Sequence, residues 1–201
     1  MYHPEPSVPN GSVVTIKNEA GNEITVYEAQ LVANSDYFKW QFGLIRPNSK
    51  EILLEVESEF ATKASLATFK YWLDHGFAGP SLDDHGDRGE ERLLNRLLNL
   101  VDCFLLGQAI LASNFQKFVL YTIRDTCAIK NDDGCLCDVI PKVWEHIPTD
   151  SGSVLRELLY EKSYEILGEL DPTDMAEALK AYEEPFRSEV TQFILDKMNG
   201  K

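Results

Sequence analysis

The chain is poor in the residues that would place it outside the cell or on nucleic acid. Only 4 of its 201 residues are Cys, too few and too irregularly spaced for a disulfide framework. The expected setting is therefore intracellular, in the cytoplasm or nucleus. Positive charge is scarce: Lys+Arg number 19 against 33 Asp+Glu, a formal net charge of −14. Such a chain gains little from counterion release on DNA or RNA and is repelled by anionic lipid. No apolar run approaches the roughly 20 residues that span a bilayer. Residues Met1 to Pro9 have neither a basic flank nor an apolar centre, so no secretory leader is expected. There is no Gly-x-Ser-x-Gly elbow and no Gly-rich phosphate loop, and His numbers only 4. No catalytic residue and no cofactor are expected.

What is present suffices for a core, since 44% of the residues are hydrophobic. Residues 1–11 are Pro-rich and polar and read as a tail. Two β-branched runs, Ser12–Lys17 and Glu23–Tyr27, flank Asn18-Glu-Ala-Gly-Asn22 and predict a β-hairpin. A short helix follows over Glu28–Ala33. Ser35 should cap a second helix that stops at Gly43. Glu51–Val56 predicts a third strand, and Thr62–His75 a helix ended by Gly76. Gly79–Glu91 reads as a solvated loop. Beyond it lie a strongly apolar helix from Leu93 to Leu111 and a further helix to Ala128. Lys130–Asp138 reads as a turn before a helix over Val139–Ile147. Val154–Leu167 is helical. Asp171-Pro172 is a strong helix start, and Pro185 should end that helix and begin the last one, which reaches Met198. Strands early and helices late predict an α+β fold in which helices dominate.

Two clusters carry residue types that bind metals. Cys127, Cys135, Cys137 and His146 hold thiols and an imidazole, but Cys135-x-Cys137 is tighter than the pairs about two to four residues apart that grip one zinc ion. Chance thiols near a turn are favoured over a small zinc protein, and no metal ligand is assigned. Asp83, Asp84, His85 and Asp87 lack the alternating register of a calcium loop and read as solvated charge.

The order of the motifs resembles the BTB/POZ family. Its signature of hairpin, then Leu-x-x-x-Ser-x-x-Phe, is matched by Val13–Tyr27 followed by Leu31, Ser35 and Phe38. A strand follows at Glu51–Val56, then Phe69-Lys-Tyr-Trp72-Leu73-Asp-His-Gly76, then Cys103-Phe104-Leu-Leu106-Gly107 running on to Phe115-Gln116. Val143-Trp144-Glu-His-Ile147 and Ser153-Val-Leu155-Arg156 are similar to the extension of stand-alone BTB proteins common in fungi. The resemblance implies a BTB/POZ-like helical cluster with a small three-stranded sheet over residues 12–128 and a helical C-terminal extension over 129–201. It implies a protein–protein interaction module that self-associates as a homodimer or hetero-oligomer, without catalysis.

The same resemblance implies where partners would touch. The family's charged pocket at the dimer interface corresponds to Ser12 or Val13 and to Glu28, although the usual acid and base are absent at these positions; Val13 and Glu28 are taken as the interface. Members that act as substrate adaptors of cullin ubiquitin ligases use an apolar-x-acid motif. It falls here on Leu44, Ile45 and Arg46 beside Phe42, and Ile110 stands where the family has a contacting Tyr. A base at Arg46 replaces the acid, so the adaptor reading is the alternative to the scaffold.

Overall fold

A computed structural model describes residues 11–44, 51–53, 60–76, 89–128, 135–149 and 153–200. The chain forms two compact units, one of residues Met1–Gly86 with Asp102–Tyr121, the other of Asp87–Val101 with Thr122–Lys201. Their edges fall at 86/87, 101/102 and 121/122.

The first unit begins with the hairpin. Strand β1 (Val13–Lys17) pairs antiparallel with β2 (Glu23–Tyr27), with Val14 opposite Val26 and Ile16 opposite Ile24. These four side chains are buried and alternate with more exposed ones, as a half-buried sheet requires. The turn is tied down locally: Gly21 takes φ +79°, and the Asn18 side chain accepts the Asn22 N–H at 2.9 Å. Buried Asn18 also donates to the Ala61 carbonyl at 2.8 Å. Strand β3 (Glu51–Leu53) runs parallel to β1, giving a mixed sheet in the order β2-β1-β3. Residues 54–56 of the predicted strand lie outside the described residues.

Helix α1 (Glu28–Asn34) starts directly after β2 and helix α2 (Asp36–Leu44) follows. Ser35 caps α2 as predicted: its Oγ accepts the Phe38 N–H at 3.2 Å. Gly43 does not stop α2, which continues to Leu44. Its φ is not left-handed, and a helix end needs that geometry more than it needs a glycine. Helix α3 (Lys63–His75) has both predicted ends. Thr62 accepts the Ser65 N–H at 3.1 Å, and Gly76 takes φ +71° while donating to the Trp72 carbonyl at 2.8 Å.

Helix α4 (Glu90–Ala109) opens three residues before the predicted Leu93, with Glu90 and Glu91 favourably placed at its positive end. Its C-terminal part and the start of α5 (Ser113–Ala128) belong to the first unit. The turn between them is a Schellman motif: Ala112 N–H bonds to the Gly107 carbonyl at 2.8 Å and Leu111 N–H to that of Gln108 at 3.1 Å. Leu111 sits at the left-handed position with φ +51°, where glycine is usual. A Cβ on Gly107 would lie 2.9 Å from Gln116 Cγ and 3.1 Å from Phe115 Cδ1, so glycine is needed there for close packing. Leu31, Phe38, Phe69, Trp72, Leu106 and Phe115 are all buried, each contributing about 1.5–3 kcal/mol.

The second unit is helical among the described residues. Helix α6 (Cys135–Glu145) begins before the predicted Val139. Its buried stripe already starts at Leu136 and continues through Val139, Ile140 and Val143, and Asp138 lies in its first turn. Helix α7 (Ser153–Leu167) buries Leu155, Leu158 and Leu159. The Asp171 side chain accepts the Thr173 and Asp174 N–H groups at 2.8 and 3.0 Å, opening α8 (Pro172–Ala181) as predicted. Pro185 caps α9 (Phe186–Met198), whose Phe186, Val190 and Ile194 are buried. No helix among the described residues is long and apolar enough to cross a membrane.

Candidate partner-binding surface

Burial holds three of the thiols in their protonated form. Burial pushes the Cys103 thiol up to about 12 and that of Cys127 up to about 11. Burial also raises Cys137, against the opposing hydrogen bond from Tyr182. At neutral pH these groups are thiols, which are poor nucleophiles. Cys127 is buried on α5, Cys137 is half-buried on α6, and His146 is exposed just beyond α6. Cys135 opens α6. Among the described residues, no group of three or more His, Cys, Asp or Glu could hold a metal ion. Asp83, Asp84, His85 and Asp87 lie outside the described residues.

The residues assigned to partner contact are placed unequally. Val13 is 43% exposed at the start of β1 and pairs with Tyr27. Glu28, half-buried, follows Tyr27 and donates its N–H to the Ser12 carbonyl at 2.9 Å. These two positions are therefore brought side by side, by strand pairing and the helix start that follows it. Phe42 is half-buried on α2 and Leu44 is the last residue of that helix. Ile45 and Arg46 lie outside the described residues.

Ile110 requires a correction. It is 1% exposed, and its carbonyl accepts the Ser35 hydroxyl at 2.5 Å. It closes α4 inside the core and offers a partner nothing. The Schellman turn rotates the next residue outward instead, so that Leu111 is 57% exposed. Trp40 on α2, 61% exposed, is a second apolar side chain that sequence reasoning did not single out. The signal for it was the register of α2. Once Phe38 is taken as buried, a residue two positions on points away from it.

The most built cluster lies in the second unit. Trp144 on α6 donates its indole N–H to the Tyr160 hydroxyl on α7 at 2.9 Å, and that hydroxyl donates to the Glu189 carboxylate on α9. Arg156 lies 4.3 Å from the Trp144 ring centroid, donates to the Ile147 carbonyl at 2.9 Å and approaches Glu189 at 4.0 Å. Phe186 packs on Trp144, Tyr160 and Tyr182. Burial, then the bond to Glu189, push the Tyr160 phenol up to about 12. Its proton stays on the ring at physiological pH. The Arg156 Nε is buried without a partner among the described residues; the other polar groups bond one another, and the cluster fastens three helices. Trp144 and Arg156 come from the two extension motifs, and the fold sets the guanidinium over the indole ring.

No family model matches the chain, and no curated protein matches it.

Proposed function

We propose that the chain is a protein–protein interaction module of the BTB/POZ type, working in the cytoplasm or nucleus as a scaffold that self-associates through Val13 and Glu28. One observation carries the reading. Ser35 accepts the Phe38 N–H and donates to the Ile110 carbonyl, so one hydroxyl joins the Leu31–Phe38 signature to the end of the helix that carries Leu106. A motif whose pieces are weak one by one is thereby tied together in space. The burial of Phe69, Trp72 and Phe115 around the same unit supports it, as does the order of hairpin, paired helices, third strand and α3. The exposed Val13 beside Glu28 supports the contact itself.

The cullin-adaptor reading gains no observation, because Ile110 is buried and Ile45 and Arg46 lie outside the described residues. The zinc reading gains none either. The test is light scattering across a wide concentration range. The wild type is expected to dimerise, and Val13→Lys to weaken the dimer without loss of helical signal. A wild type that stays monomeric at every concentration sinks the proposal.

A further inference from the structure

We draw no further inference here: the strongest candidate, the surface patch of exposed Trp40 on α2 and exposed Leu111, whose carbonyl accepts the Asp36 N–H at the start of that helix, is an unpartnered apolar face, and nothing in the structure shows what covers it.

Discussion

Two clusters of aromatic rings hold the two units, and they are built on different chemistry. In the first unit, Phe69, Trp72 and Phe115 meet with centroids 5.0 to 6.0 Å apart. The contacts are between rings, and the Trp72 indole N–H is buried without an acceptor among the described residues. In the second unit, Trp144 and Tyr160 are threaded by hydrogen bonds and by Arg156 and Glu189. The first cluster gains from area alone and tolerates one unsatisfied donor. The second adds direction, because each hydrogen bond fixes an angle between helices that apolar contact leaves loose.

The largest effect should come from the apolar side. Phe115→Ala is expected to cost about 3–5 kcal/mol, read from urea unfolding, because the ring touches both Phe69 and Trp72. A loss below that of an ordinary surface change would mean the cluster is not central to the unit.

The sharpest comparison pairs the two buried tryptophans. Trp144→Phe removes a donor that Tyr160 uses and shrinks the ring face on which Arg156 rests, so a loss of about 1–3 kcal/mol is expected. Trp72→Phe removes an N–H that has no partner among the described residues. The relief of that unpaired donor offsets part of the lost volume, and the net cost should be smaller. Equal losses would dissolve the distinction between the clusters.

Alkaline pH should weaken the second unit. Tyr160 holds its proton more tightly folded, at about 12, than unfolded, near its ordinary value of about 10. Its contribution is therefore complete below pH 10 and disappears as the pH climbs through about 12. Burial of Cys127, raised to about 11, acts in the same unit and direction. Tyr160→Phe should shrink the fall in urea midpoint over this window. A midpoint that falls as steeply as in the wild type would remove Tyr160 from the account.

The smallest change is expected at the turn of the first unit. Leu111→Gly relieves the left-handed backbone and should stabilise by about 0.5–1 kcal/mol, seen as a modest rise in melting temperature. No rise would mean that the leucine gains contacts that balance its backbone cost.

Much of the local architecture was legible because its causes are local. Asn18 and Gly21 specify the hairpin turn, Thr62 and Gly76 bound α3, and Asp171-Pro172 opens α8. Each acts on neighbours within a few residues. The early start of α6 was missed because Cys135 and the acids before it look like a turn, while the buried stripe that begins at Leu136 is decided by tertiary packing. Gly43 misled for the opposite reason: a glycine permits a stop without compelling one. The burial of Ile110 was not legible, since only the handedness of the turn decides which of Ile110 and Leu111 faces out. The polar network of Trp144, Tyr160 and Glu189 was beyond reach, because its members lie up to 45 positions apart on three helices. The residues implied by the family resemblance remain a proposal, carried by motif order and by Ser35.

Helix α8 buries no residue, and its own cap holds it in place. That freedom makes it a handle. A cysteine put in place of Glu177 would present an open thiol with ordinary acidity, whereas Cys103 and Cys127 are shielded and slow to ionise. A dye or spin label attached there could follow the assembly of the chain without disturbing either the first unit or the ring cluster of the second.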